Sequence, residues 1–312
     1  MEPYLPNYLK GKNRRLVFDL LRERGQMSRA EITRDTGMSF PTAMKVVDAF
    51  LEKGLLVELD ETGPAAGAGR KGRLLRFEPG AYRAVGVECE GRFARVGLAD
   101  MAGGVQARET IELGDFARTR DLSPLAAAIR RMCAAANGAP VLGVCIGFPA
   151  NLDPDAAAIV SYAAMDIQQP TSFAQVFPAF WREVELPVYL ENDANLACEG
   201  EAFLRRGAGG AANMLYLSIG SGCSGAVRLD GKLRRGARCR AGEVGAMLLQ
   251  PALGAPGRSA ARETLEDAVC LAALERRFGA ALRDGAQPGE ASAQAMRDYL
   301  CGPLSGAVYS LV

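Results

Sequence analysis

Hydrophobic positions recur along this chain in two rhythms, helical over the first eighty residues and alternating between strand and helix afterwards. Residues 13–24 form the first helical stretch, with Leu16, Val17, Leu20 and Leu21 on one face and basic residues on the other. Gly25 ends it. Ser28-Arg29-Ala30-Glu31 is then a capping box that opens a second helix as far as Thr36. Gly37 supplies a turn. A third helix is predicted over residues 39–53, with Pro41 in its first turn, where a missing N–H is tolerated. Gly54 stops it before a short apolar strand, 55–59. Three helices with a glycine-bearing turn between the second and third make a helix-turn-helix pattern.

In such a unit the helix after the turn enters the major groove of DNA by its N-terminal residues. Here these are Ser39, Phe40, Pro41, Thr42, Ala43 and Lys45. Ser39 and Thr42 suit phosphates or base edges, Phe40 suits a thymine methyl, and Lys45 suits phosphate. A helical bundle docking to some other partner is the plain alternative. Residues 61–72 are rich in Gly, Ala and Pro and end in Gly69-Arg70-Lys71-Gly72-Arg73, before Leu74, Leu75 and Phe77 resume a strand. Two strands with a flexible tip read as a wing, and Arg70, Lys71 and Arg73 are its candidate DNA contacts. A solvated linker has the same composition.

From residue 84 onwards the pattern turns to β/α units. A hairpin is expected from 84–87 and 94–100, a helix over 123–136 and a buried strand over 141–146. A helix over 173–184 and a strand over 187–190 lead into Glu191-Asn192-Asp193-Ala194-Asn195. Strand C-termini of open α/β sheets are where ligands bind. Asp193 can be a base within reach of a hydroxyl, or the N-cap of a helix over 194–206. Asn192 both donates and accepts, which suits a sugar hydroxyl. Further on, a strand expected to be buried, 214–219, runs into Gly220, Gly222 and Gly225, and Asp230-Gly231 is a two-residue hairpin signal. Glycines between strands allow backbone N–H groups close to a phosphate or a polyhydroxyl ligand, although a tight turn alone also needs them. Helices are expected over 265–278 and, interrupted near Gly302-Pro303, over 291–312.

The glycine run, Glu191-Asn192-Asp193-Ala194-Asn195 and Ala241-Gly242-Glu243-Val244-Gly245, taken in that order, resemble the ROK family of repressors, open reading frames and kinases. The stretch from Ser28 to Leu56 is also similar to the N-terminal winged helix of ROK repressors. The resemblance implies an α/β chain: a winged helix-turn-helix, residues 1–80, followed by a two-lobed actin-like (ribonuclease H-like) domain, 81–312. Its lobes would be about 81–190 and 191–312, the second incomplete, since family members continue through another strand and a nucleotide-holding loop. The resemblance makes Asp193 the catalytic base if the protein is a kinase. Asn192, Glu243 and, across a length change, Glu263 become contacts to a sugar-type ligand. Three departures count against a kinase. Glu88-Cys89-Glu90 stands where the family's phosphate turn has Asp-x-Gly, Ala246 replaces the histidine of the family's zinc site, and no cysteine lies between Leu248 and Arg258.

Composition narrows this further. There is no histidine, which excludes His-dependent catalysis and, with the cysteine loop gone, leaves no metal site expected. Eight cysteines without a CxxC pair read as reduced thiols in core positions. No apolar run approaches a membrane span and no signal pattern opens the chain, so the expected location is the cytoplasm. Net charge is +1, but residues 1–80 carry 14 Lys+Arg against 11 Asp+Glu, a mild basic bias that permits a nucleic-acid partner. The expectation is a non-enzymatic DNA-binding repressor, without cofactor, dimeric on a palindromic double-stranded operator, with a sugar or related effector. An ATP-dependent sugar kinase and a ligand-free dimerisation domain are the alternatives.

Overall fold

The computed structural model describes residues 5–62, 73–205, 212–249, 263–279 and 290–311. The N-terminal part holds α1 (Leu5–Arg24), β1 (Gln26–Ser28), α2 (Arg29–Thr36), α3 (Phe40–Glu52), β2 (Leu56–Thr62) and β3 (Arg73–Phe77). The Ser28 hydroxyl accepts from Glu31 N–H at 3.3 Å, while the Glu31 carboxylate accepts from Ser28 N–H at 2.8 Å, so the capping box is fully made. The Ser28 N–H and the Ser28 hydroxyl both donate to that carboxylate, at 2.8 Å each, and hold the Glu31 carboxyl below its ordinary range. Gly37 closes α2 in the left-handed region, φ 66°, and turns the chain into α3. The strands form an antiparallel sheet in the order β1-β3-β2, in which Met27 faces Leu75 and Leu56 faces Phe77. Val17, Leu21, Ile32, Val46, Val47 and Phe50 bury the helices against that sheet. Three helices, the last two joined at Gly37, are thus backed by a three-stranded antiparallel sheet. The first helix starts eight residues earlier than its hydrophobic stripe, and β1 was not legible.

The next unit contains β4 (Arg83–Glu90), β5 (Phe93–Asp100), β6 (Val105–Glu112), α4 (Phe116–Thr119), α5 (Ser123–Ala135), β7 (Val141–Phe148), β8 (Asn151–Asp153), β9 (Ala158–Ser161), β10 (Thr171–Ser172), α6 (Phe173–Val176), α7 (Pro178–Glu183) and β11 (Val188–Asn192). Its main sheet runs β11-β7-β4-β5-β6, with β4-β5-β6 an antiparallel meander and β7 and β11 parallel. Phe148 sits at the centre of an aromatic core, edge-on to Phe116, Tyr162, Phe173 and Phe177. The single helix expected over 173–184 is two short ones. Phe177, at φ −125° and ψ 65°, breaks it, because the residue before a proline is disfavoured in the helical region.

The remainder comprises α8 (Asp193–Leu204), β12 (Met214–Ile219), β13 (Cys223–Leu229), β14 (Lys232–Leu233), α9 (Leu265–Val269), α10 (Leu271–Phe278) and α11 (Glu290–Leu311). β12-β13-β14 is antiparallel, and Asp230 and Gly231 both take positive φ, as a two-residue hairpin requires. Four expectations are corrected. β12 is half-buried rather than buried, with Ile219 exposed, because it is an edge strand of the described sheet. The stretch 265–278 breaks at Cys270, whose backbone is extended. Residues 290–311 form one helix straight through Pro303; Tyr299, Leu300 and Leu304 pack on the core of this unit, and that burial outweighs the lost backbone bond. All eight cysteines are free thiols, but Cys133, Cys145 and Cys239 are half-buried and Cys301 is exposed rather than core.

Candidate functional site

A cleft of about 730 Å³ opens where the C-terminal ends of β4, β7 and β11 face the β12–β13 turn. Asn192 ends β11, and its side chain accepts from Asn195 N–H at 3.1 Å, so Asn192, not Asp193, caps α8. Its amide nitrogen reaches across to donate to the Ala150 carbonyl at 3.3 Å. Asp193 is thereby turned into the cleft, half-buried, and accepts from its neighbour Ala194 N–H at 2.9 Å. Burial pushes its carboxyl above the ordinary range and the nearby Glu88 and Glu90 add to the rise, against the lowering effect of the Ala194 N–H.

Glu243 faces Asp193 from the other wall. It stays accessible through the cleft mouth, yet the surrounding protein raises its pKa; Arg240 opposes the rise, and Asp193 and Glu266 add to it. Oriented to satisfy both of its groups, the Asn151 amide donates to Glu243 Oε1 at 3.0 Å and to the Cys239 carbonyl at 3.1 Å, and accepts from Ser161 Oγ at 3.1 Å. Arg240 also donates to Ser161, at 3.3 Å. Beneath the cleft, Glu191 is buried and accepts from Asn195 Nδ2 at 3.1 Å and from Arg235 Nε at 2.9 Å.

The glycine motifs have a geometric cause. Gly225 N–H donates to the Gly242 carbonyl at 2.8 Å, and a Cβ on Gly242, which sits at φ 99°, would come within 2.1 Å of the Gly225 carbonyl oxygen. Gly245 is equally tight against Cys223 O, at 2.1 Å. The two motifs therefore interlock, backbone on backbone.

Carboxylates cover the glycine turn. Glu266 Oε2 accepts from Cys223 N–H at 2.8 Å and lies 2.9 Å from where a Gly222 Cβ would stand; Glu90 Oε1 lies 3.0 Å from the corresponding point on Gly220. Glu88 and Glu90 close β4 rather than forming a turn, which falls at Gly91, φ 56°. Arg95 donates to both, Nε to Glu88 at 2.9 Å, and offsets part of their charge.

Glu263 does not reach the cleft. It is exposed, and its backbone carbonyl accepts from Leu249 N–H at 2.9 Å. Glu266, three residues on, lines the cleft instead. The signal was present: Thr264 and Asp267 form a capping box that puts Glu266 in the first turn of α9. Asn151, Ser161, Tyr162 and Arg240 also line the cleft and were not singled out as site residues. Among the described residues no group of three or more His, Cys, Asp or Glu side chains is placed to hold a metal ion.

On the N-terminal unit, Ser39 caps α3 by its backbone only, and its hydroxyl pairs with that of Thr42 at 2.9 Å. Phe40 is 56 % exposed, Pro41 and Lys45 are exposed, and Thr42 is half-exposed, so the N-terminal end of α3 is open to solvent. Arg73 starts β3 and lies 3.8 Å from Glu58, which Arg29 also pairs at 2.6 Å. Arg70 and Lys71 lie outside the described residues.

This architecture, two lobes about a cleft closed by a glycine turn, is the actin-like sugar-kinase fold. The chain belongs to the ROK family, whose sequence pattern matches residues 84–296. It is 27 % identical over 241 residues to a xylose repressor of Caldicellulosiruptor bescii, covering 76 % of this chain and 58 % of the relative. It is 33 % identical over 141 residues to a glucokinase of Halalkalibacterium halodurans, covering 43 % and 40 %. The chain thus spans less than two thirds of the length of these relatives. A solved ROK family transcriptional regulator, a homolog of the E. coli MLC protein, superposes with a TM-score of 0.73 at 18 % identity, over 97 % of this chain and 80 % of the other. Among the described residues no helix is long and apolar enough to cross a membrane.

Proposed function

We propose that the chain is a DNA-binding transcriptional regulator of the cytoplasm, acting as a repressor. In this reading residues 1–80 bind the operator, through Ser39, Phe40, Pro41, Thr42 and Lys45 of α3 and Arg70, Lys71 and Arg73 of the wing. Residues 81–312 dimerise and hold a sugar-type effector on Asn192, Asp193, Glu243 and Glu266. The observation that carries the reading is the pair of carboxylates, Glu90 and Glu266, lying on the glycine turn where triphosphate oxygens would need bare N–H groups. The open N-terminal end of α3 and the similarity to xylose repressors support the same conclusion. Helix-turn-helix proteins pair their recognition helices on successive major grooves roughly 34–36 Å apart, so a homodimer on a palindromic site follows. Selection of bound duplexes from a random DNA pool tests the reading: enrichment of a palindrome is expected, and no enrichment at low salt overturns it.

The kinase reading retains one favourable observation, an Asp193 carboxyl raised in a cleft, as a general base requires, together with the similarity to a glucokinase. Release of ADP over a panel of aldoses with ATP and Mg²⁺ decides it. Turnover that disappears in Asp193→Asn would establish an enzyme.

A further inference from the structure

Helix α8 joins the cleft to the N-terminal unit. Its first residue, Asp193, and its cap, Asn192, stand on the cleft wall. Ten residues later, about 15 Å along the axis, the Phe203 ring lies under the guanidinium of Arg22 from α1, with Arg22 Cζ 3.8 Å from the ring centroid. Arg22 Nη2 also donates to the Phe203 carbonyl at 3.5 Å. On its other side Phe203 presses on the β5–β6 turn so closely that a Cβ on Gly103 would come within 2.9 Å of the ring. That same turn holds the N-terminal unit: Met101 N–H donates to the Pro79 carbonyl at 3.1 Å, and Met101 packs on the core of that unit. Phe203 therefore touches both the first helix of that unit and the turn that fastens it.

The attachments of α8 along its length differ. Near its middle, Glu199 pairs with Arg228 of β13, which is buried, and ties the helix to the sheet behind the glycine turn. At its start, the Asn192 amide ties it to Ala150, just past the end of the neighbouring strand β7 on the wall formed by the five-stranded sheet. Any change in the separation of the cleft walls must then strain one of these attachments or carry α8 along.

We propose that α8 is the lever between cleft and DNA-binding unit: a ligand that draws the walls together shifts α8, and Phe203 passes the shift to Arg22 and so to α1. Coupling needs an element that both sites bias, and α8 is in contact with both. Arg22 and Phe203 are positioning residues; neither lines the cleft. The biological use rests on the regulator reading above, but the mechanical link can be tested without DNA or effector.

The test is amide hydrogen exchange over residues 16–24 of α1 in the full chain. Asn192→Asp keeps the capping oxygen but replaces the donor to Ala150 with a repelling carboxylate oxygen, releasing the cleft end of α8. Exchange in α1 is expected to quicken about threefold or more, and the same change is expected to add nothing in a Phe203→Ala background. Arg22→Lys, which keeps the charge but not the planar face, should behave like Phe203→Ala. Unaltered α1 exchange in Asn192→Asp, or an equal quickening with and without Phe203, overturns the proposal. If Phe203→Ala does not fold, Phe203→Leu fills the space without the ring face and gives the same reading. Failure of the regulator reading would show separately, as no enrichment in the DNA selection.

Discussion

Cys223 donates its backbone N–H to Glu266 at 2.8 Å, so the amide at the end of the glycine turn is satisfied by a carboxylate of the chain itself. An incoming phosphate would have to displace that carboxylate and also meet Glu90. The intact chain is accordingly expected to show no melting shift with 1 mM of a non-hydrolysable ATP analogue. Glu90→Gln with Glu266→Gln removes two like charges and should raise nucleotide affinity about tenfold or more, measured by calorimetry. A strong shift in the unaltered chain would contradict the account of the turn.

Asp193 stands half-buried in a place that disfavours its charged form. Because its folded-state pKa lies above the unfolded one, its contribution to stability is fully present below the ordinary aspartate range and is lost as pH rises through the folded value. Glu243, also raised, acts in the same direction. Asp193→Asn should therefore melt about 1–3 °C higher than the unaltered chain at pH 7.5, and the difference should shrink as the pH falls towards 4. A variant that melts lower at pH 7.5 would show that the charge is stabilised by a contact other than these.

At the N-terminal end of α3, Lys45→Ala should weaken operator binding at every sequence and reduce the slope of log affinity against log salt by about one. Phe40→Ala should instead cost about 1–3 kcal/mol at the preferred site and relax the selected sequence. Titrations at several salt concentrations on the enriched duplex separate the two. Equal effects on specific and random DNA from both variants would remove Phe40 from base recognition.

Gly242 has no room for a methyl group and sits at φ 99°. Gly242→Ala should lose about 3 kcal/mol or more by overpacking and strain, read as a fall in denaturant midpoint. Gly222→Ala meets only the end of the Glu266 side chain, 2.9 Å away, which can swing aside. A smaller loss, about 1 kcal/mol, is expected there. Similar losses for both would mean that the backbone-on-backbone contact is not what demands glycine at 242.

Local rules carried the reading far where the determinants are themselves local. The capping box at Ser28 and Glu31, the left-handed Gly37 and the hairpin at Asp230-Gly231 are contacts between residues at most three apart, and all three stand as read. Asn192, Asp193 and Glu243 reach the cleft because strand ends and glycine turns mark their own positions. That Glu266 rather than Glu263 lines the cleft depends on how the first turn of α9 meets Cys223, 43 residues earlier in the chain.

The sequence by itself determined the three N-terminal helices and the turn at Gly37, the order of β/α units and the motifs whose glycines are needed for backbone shape, since these follow from periodicity, capping and φ preferences over a few residues. Tertiary structure alone decided that Glu90 and Glu266 lie on the glycine turn, that α11 runs on through Pro303, and that Phe203 meets Arg22 across 181 positions of chain. Those outcomes depend on which surfaces are brought together and buried, and the energy of such contacts is not written in any short stretch of residues.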